Sequence, residues 1–263
     1  MCNFTFATLL STPSYLPGVR VLYRSLKKYG RTQYPFICVC SMELPESAFR
    51  YLDKWRIPYL KLEHKALDLI ELPKQDAEWA HWSYTFDKLL LWELEEYDKI
   101  VFLDSDMMVV SPIGELFEKP NMSAVAAGKF KFPEWIRLNS GLMVIKPQKQ
   151  TALHLLSLIN PTIEGFEKEG KNVGDQDVIN NFYNDWPSAT ILHLGEEYNL
   201  FYNFLAEFRN QNLPSPKIIH FVGGSKPWNV IPVMERLRYI LRLFLHKRDC
   251  LWPYLKYMRL LYL

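Results

Sequence analysis

Cysteine is scarce in this chain of 263 residues: Cys2, Cys38, Cys40 and Cys250 are the four present. They lack the paired spacing of a zinc site and the density of a disulfide scaffold, which fits a reduced, cytosolic setting. Long apolar runs are missing too. Spanning a bilayer takes about 20 consecutive apolar residues, and Arg or Lys interrupts every candidate near the C-terminus. The chain is therefore expected to be cytoplasmic, or peripheral to a membrane without crossing it. Its opening, Met1-Cys2-Asn3-Phe4-Thr5-Phe6-Ala7, has neither a basic leader nor a long apolar segment, so no secretory signal is read there. Net charge is small, +2, which argues against a nucleic-acid partner and confines electrostatic arguments to local clusters. Internal repeats, low-complexity tracts and Gly/Ser linkers are also absent.

What is present suits one large α/β domain, or one domain with a small appendage. The hydrophobic share of 49% and charged share of 23% are ordinary, whereas the aromatic share of 15% is high, as in sugar-handling clefts and in large cores. Phe4 to Leu10 reads as a buried strand, followed by the turn-like Ser11-Thr12-Pro13-Ser14 and an amphipathic helix through Val19, Leu22, Tyr23 and Leu26. Phe36 to Cys40 predicts a second strand, Pro45 to Trp55 a second helix and Pro58 to Leu62 a third strand. This alternation implies a parallel sheet covered by helices. A third helix is expected over Phe86 to Tyr97, then a central strand, Lys99 to Leu103, apolar enough for burial on both faces. Ser140 to Ile145 reads as another strand, Thr151 to Ile159 as a helix, and Asp177 to Tyr183 as the start of one more. The division expected is a sheet-centred domain over residues 1–230 and a C-terminal tail over 231–263.

Asp104-Ser105-Asp106 follows the central strand directly. Residues two apart on extended chain point the same way, so both carboxylates can face a pocket at the strand's carboxyl end, where open α/β sheets bind ligands. Two oxygen donors there suit a hard cation that also takes diphosphate oxygens; a solvated acidic turn is the bland alternative. A second block, His220-Phe221-Val222-Gly223-Gly224-Ser225-Lys226-Pro227-Trp228, follows the strand Lys217-Ile218-Ile219. Its imidazole can complete the coordination and favours Mn²⁺ over Mg²⁺, Gly223 and Gly224 let backbone N–H groups approach phosphate, and Lys226 adds positive charge. Asn139-Ser140-Gly141 precedes a strand, and Gly174-Asp175-Gln176-Asp177 precedes a helix. Capping accounts for Asp175 or Asp177, whereas Asn139 and Gln176 carry amides suited to sugar hydroxyls.

Together these blocks resemble the glycogenin-like branch of the family 8 retaining glycosyltransferases, which includes galactinol synthases and lipo-oligosaccharide galactosyltransferases. The resemblance spans roughly residues 3–230. It rests on Phe6-Ala7-Thr8-Leu9, Lys88 sixteen residues before the aspartates, Phe102-Leu103-Asp104-Ser105-Asp106, Asn139-Ser140-Gly141-Leu142-Met143-Val144, Gly174-Asp175-Gln176, and His220 to Trp228. It implies a nucleotide-diphospho-sugar transferase (GT-A-like, Rossmann-like) mixed sheet flanked by helices, and Mn²⁺-dependent transfer of glucose or galactose from a UDP-sugar to a saccharide, glycolipid or protein hydroxyl. By similarity Leu9, Ser11, Thr12 and Tyr15 line the uridine site, and Lys88 contacts donor phosphate or sugar. Asp104, Asp106 and His220 bind the metal, with Ser105 and Ser140 beside the donor. Asn139, Asp175 and Gln176 hold the sugar, with Gln176 on the far face of the anomeric carbon, while Gly223 and Lys226 take the diphosphate. Two departures stand out. Ala206 falls where glycogenin's self-glucosylated tyrosine is expected after Tyr198-Asn199-Leu200, and Lys129-Phe130-Lys131 replaces a stretch with an acidic sugar contact.

The tail interleaves Arg236, Arg238, Arg242, Lys247, Arg248, Lys256 and Arg259 with Leu237, Ile240, Leu241, Phe244 and Leu245. Such a basic amphipathic helix can lie on an anionic membrane with Trp252, Tyr254 and Tyr257 at the interface, pack on the domain, or form a homodimer or partner contact. Two other functions share the aspartates: a metal-dependent nucleotidyl- or phosphotransferase, and a non-catalytic sugar-nucleotide-binding protein.

Overall fold

Unbroken burial from Thr5 to Leu10 places β1, Phe4–Leu10, at the middle of the molecule. In the computed structural model, which describes residues 2–69, 84–167, 173–229 and 232–262, β1 is flanked by β2 (Phe36–Cys40) and β4 (Lys99–Leu103). The six-stranded sheet is completed by β3 (Tyr59–Lys61), β7 (Asn139–Ile145) and β6 (Ala124–Val125), in the order β3-β2-β1-β4-β7-β6. Phe6, Val101, Leu103, Leu142 and Val144 point into one core; Ala7, Ile100, Phe102, Met143 and Ile145 point into the other. The long apolar runs of these strands follow because each face meets its own layer.

The parallel sheet inferred from local alternation is correct for β3, β2, β1 and β4 only. β7 runs antiparallel to β4, and β6 antiparallel to β7. No local pattern around Ser140 distinguishes the two directions, since a strand buried on both faces reads alike either way. A second sheet, β5 (Met107–Val109), β9 (Ile218–His220) and β8 (Leu200–Phe201), stands beyond the end of β4.

Helix α1 (Leu16–Ser25) continues into a π turn over Leu26–Gly30; α2 is Glu46–Lys54. The third helix expected is instead a 3₁₀ helix, Phe86–Glu93, with Phe86 through Trp92 all buried. Enclosure on every side leaves it no polar stripe to set a 3.6-residue period. Helices α3 (Lys149–Ser157), α4 (Ile159–Glu167), α5 (Asp175–Phe182) and α6 (Leu205–Arg209) follow. The tail forms α7 (Val233–His246) and α8 (Arg248–Tyr262); the expected boundary at residues 230/231 lies outside the described residues. Helix α8 buries Cys250, Tyr254, Tyr257, Leu260 and Leu261 against a third core that includes Val21, Phe208, Ile219 and Phe221. Each large side chain so buried is worth about 1.5–3 kcal/mol. By contrast α7 turns Val233, Met234, Leu237, Leu241, Phe244 and Leu245 outward, each between 49% and 75% exposed, and buries only Leu243. No helix among the described residues is long and apolar enough to cross a membrane.

Candidate active site

Strand β4 ends at Leu103, and Asp104 extends its ladder by one bond, donating its N–H to the Gly141 carbonyl at 2.8 Å. The chain then turns, Met107 N–H bonding back to the Asp104 carbonyl at 3.1 Å, and enters β5 in the second sheet. The two carboxylates therefore converge across a turn, not along extended chain. Antiparallel pairing of Met107 with His220 brings the imidazole to them. One ligand atom from each of Asp104, Asp106 and His220 lies within 4.8 Å of the others.

The imidazole is aimed by a residue overlooked in the site assignment. His220 Nδ1 lies 2.9 Å from Asn199 Oδ1, while Asn199 Nδ2 donates to Asn139 Oδ1 at 2.8 Å. Because the Asn199 oxygen can only accept, Nδ1 carries a proton, which leaves Nε2 facing Asp106 Oδ1, 3.0 Å away. Nε2 is thus the ring atom that can turn to a cation shared with the two carboxylates. Two hard oxygens and an imidazole nitrogen fit a divalent ion such as Mn²⁺. Asn199 appears in the sequence only within the Tyr198-Asn199-Leu200 landmark; its being fully buried is the missing signal.

A buried ion network borders this triad. Lys88 Nζ is 3.0 Å from Asp104 Oδ1 and 2.7 Å from Asp175 Oδ2, and Ser140 Oγ donates to Asp175 at 2.8 Å. Burial works against the Lys88 charge, but Asp104 and Asp175 outweigh it and hold the ammonium above the ordinary lysine range. Asp104 is pushed up, first by burial, with Lys88 opposing and Asp106 adding repulsion. Burial would also raise Asp106, yet His220 and Lys226 hold it well below the usual carboxylate range. Capping explains only one of the α5 acids: Asp177 accepts from the Gly174 N–H at 3.1 Å, whereas Asp175 belongs to the lysine network. Gln176 Oε1 accepts from Asn139 Nδ2 at 2.9 Å and Ser140 N at 3.1 Å, which gathers these three residues on one wall.

On the opposite side Lys226 Nζ donates to Asp106 Oδ2 at 2.5 Å and to the Phe221 carbonyl at 2.8 Å. Gly223 has φ +91°, a conformation that L side chains rarely adopt, and Gly223 and Gly224 are exposed. Trp228 donates to the Ser14 carbonyl at 2.9 Å and meets the Tyr15 ring edge-on at 5.6 Å, tying the lysine block to the loop after β1. That loop carries half-buried Ser11, Thr12 and Tyr15, with Leu9 buried at the end of β1. Ser105 is buried in the aspartate turn, its carbonyl oxygen packed against Gly18 of α1. Two further residues were overlooked. A Cβ on Gly18 would lie 2.4 Å from that oxygen and 3.0 Å from Trp228, so glycine is required by close approach. Tyr257 of α8 is fully buried, stacked on Trp228 at 6.0 Å and edge-on to Phe221 at 4.8 Å, and its hydroxyl has no hydrogen-bond partner among the described residues. Gly18 lies beside a helix pattern that reads as ordinary core, whereas Tyr254 and Tyr257, expected at a membrane interface, are buried inside the protein, because α8 packs on the third core.

The family described as Glycosyl transferase family 8 matches residues 7–231. The chain belongs to it. Among family 8 relatives, glycogenin-1 of Mus musculus is 31% identical over 241 residues, covering 87% of this chain and 66% of that protein. Glycogenin-1 of Homo sapiens is 30% identical, with 87% and 63% covered, so the chain spans less than two thirds of the length of these glycogenins. The fold is that of GT-A glycosyltransferases. It superposes on the galactosyltransferase LgtC, solved with donor and acceptor sugar analogs, with TM-score 0.63 and 17% identity, covering 98% of this chain and 95% of that one. The glycosyltransferase GlyE of Streptococcus pneumoniae gives TM-score 0.58 at 20% identity over 98% of this chain and 62% of that one.

Proposed function

We propose that this family 8 domain is a retaining hexosyltransferase that moves glucose or galactose from a UDP-sugar to a hydroxyl acceptor. The observation that carries the reading is the convergence of Asp104, Asp106 and His220 within 4.8 Å between two lysines, Lys88 and Lys226. Asp104, Asp106 and His220 would hold a divalent cation, Mn²⁺ in preference to Mg²⁺, which when bound neutralises charge on a leaving diphosphate. Lys226 and the Gly223 N–H take the remaining diphosphate charge, and the loop of Leu9, Ser11, Thr12 and Tyr15 receives the uridine. In the transfer the bond from the anomeric carbon to the diphosphate oxygen breaks with its electron pair leaving on that oxygen. The acceptor oxygen bonds to the anomeric carbon from the same side, and its proton passes to the departing diphosphate. Retention follows without a covalent intermediate. Gln176 and Asp175 face the opposite side; Asp175 is held by Lys88 and Ser140, and the Gln176 oxygen by Asn139 and Ser140, an arrangement that positions them to stabilise positive character.

Residues 1–230 carry this chemistry in the proposal, and 231–263 form an appended tail that meets a membrane peripherally in the cytoplasm. The outward apolar residues of α7 cover an arc of about 120°, taking roughly 100° per residue, with Arg238 and Arg242 along one edge. Such a surface suits the headgroup boundary of an anionic bilayer near a glycolipid acceptor.

The test is release of UDP from a panel of UDP-sugars, with and without Mn²⁺, using simple glycosides and water as acceptors. Mn²⁺-dependent release with one sugar is the result expected. Pyrophosphate or a transferred phosphate as product would instead assign a nucleotidyl- or phosphotransferase, and UDP binding without turnover a non-catalytic protein. For the tail, Leu237→Ser with Leu241→Ser should leave the melting temperature unchanged and abolish sedimentation with anionic vesicles; unchanged sedimentation would remove α7 from any membrane role.

A further inference from the structure

A second concentration of charge lies away from the aspartates, where the far end of α1 meets the end of α8. Arg20, Arg24 and Lys28 follow one another at spacing four along α1 and its π turn, so they form one cationic ridge. Helix α8 adds Lys256 and Arg259. The Arg24 guanidinium donates to the Leu260 carbonyl at 2.7 Å, and Lys28 and Lys256 both approach the Tyr29 ring, at 5.3 and 4.5 Å. Between the helices lies a cavity of about 300 Å³ lined by Arg24, Lys28, Arg259 and Leu260.

Among the described residues no carboxylate pairs with any of these five cations. That is unusual for a chain whose net charge is only +2. Like charges four residues apart on a helix cost about 0.2–0.5 kcal/mol per pair. Helix C-termini attract cations, but each supplies only about half a negative charge. Arg24 satisfies the end of α8 through Leu260, and the other cations remain in excess. Arg20 is crowded further: its guanidinium lies 4.8 Å over the Trp55 ring, its Nε is buried without a hydrogen-bond partner among the described residues, and burial, then the charge of Arg24, lower its affinity for the proton.

We propose that the α1–α8 cleft is a phosphate-binding site separate from the donor site, taking the phosphate group of a lipid headgroup or of a soluble phosphate. A guanidinium already oriented by a helix carbonyl, beside the exposed cations Lys28 and Arg259, matches the charge and the several acceptor oxygens of a phosphate. The cavity has the volume of about ten waters, enough for more than one phosphate group. Arg24 and Lys28 stand six and ten residues beyond Gly18, roughly 9 and 15 Å along the helix, and neither lines the site built on Asp104 and Lys226. The assignment does not depend on the transfer chemistry proposed above.

The experiment compares wild-type protein with the double reversal Lys28→Glu, Arg259→Glu, both exposed positions, and with the milder Lys28→Gln, Arg259→Gln pair. Binding of inorganic phosphate and pyrophosphate is measured by calorimetry without metal, and sedimentation is measured with phosphatidylcholine vesicles with or without phosphatidic acid. At least one probe should bind wild type with an affinity that falls tenfold or more in the reversal and severalfold in the milder pair, while both variants melt within a few degrees of wild type. Cleft-dependent sedimentation assigns the phosphate to a lipid headgroup; cleft-dependent calorimetric binding assigns it to a soluble phosphate. Failure of both probes to bind wild type, or equal binding by wild type and both variants, would overturn the proposal even if UDP-sugar turnover were intact.

Discussion

Replacing Gly18 by alanine separates stability from catalysis in a way that can be worked out from the packing. The new Cβ would sit 2.4 Å from the Ser105 carbonyl oxygen, whereas ordinary contact begins near 3.4 Å, so α1 and the aspartate turn must part by about 1 Å. Overpacking of this kind costs about 1–3 kcal/mol. Alanine returns about 1 kcal/mol through its higher helix propensity, since Gly18 lies inside α1. The net loss is about 0–2 kcal/mol, equivalent to a fall in Tm of roughly 0–8 °C for a chain of this size. Catalysis should suffer more. The displaced carbonyl lies between Asp104 and Asp106, and a misplacement of about 1 Å at reacting groups can cost on the order of 100-fold. The assay is kcat/KM for Mn²⁺-dependent UDP release alongside thermal melting at matched protein concentration. A Gly18→Ala protein that melts a few degrees lower but retains wild-type kcat/KM would refute the view that this glycine sets the position of the metal carboxylates.

Three other substitutions probe different layers of the site. Asn199→Ala removes the acceptor that orients His220, and loss of such a partner typically weakens metal affinity 10–100-fold; the Mn²⁺ concentration for half-maximal activity should rise by that factor, and an unchanged value would discharge Asn199 from the role. Lys88→Met leaves half-buried Asp104 and buried Asp175 without their shared cation, a loss of up to about 3–5 kcal/mol, and Mn²⁺ should restore part of the lost melting temperature because it offsets the same excess negative charge; no destabilisation would mean the network is not closed in solution. Tyr257→Phe deletes a hydroxyl that has no partner and should melt at or above wild type, whereas Tyr257→Ala should cost about 3–5 kcal/mol and raise the KM for donor, because Trp228 and Phe221 lose their support. A Phe variant destabilised by more than about 1 kcal/mol would show that the hydroxyl is engaged.

Strands β1, β2 and β4 were legible in sequence because burial on both faces leaves unbroken apolar runs such as Lys99-Ile100-Val101-Phe102-Leu103. The family motifs were legible because they are short and ordered along the chain. Strand direction at β7 was not, since Asn139–Ile145 would bury the same residues whether parallel or antiparallel. The 3₁₀ helix at Phe86–Glu93 also escaped, because complete enclosure removes the periodicity from which helix type is read.

At the site the sequence by itself determined which side chains carry charge and metal-binding atoms: Asp104, Asp106, His220, Lys88 and Lys226 are separated by up to 138 residues yet stand in recognisable blocks. Only the tertiary structure decided how they meet. The convergence of the aspartates depends on a turn that passes the chain from one sheet to another, and the imidazole arrives through the pairing of β5 with β9. Asn199, Gly18 and Tyr257 were invisible as site residues because their contributions are a hydrogen bond, a close approach and a ring contact to chain 21, 87 and 29 residues away. Residue chemistry is local and can be read letter by letter; orientation and close approach are properties of pairs that only the folded backbone brings together.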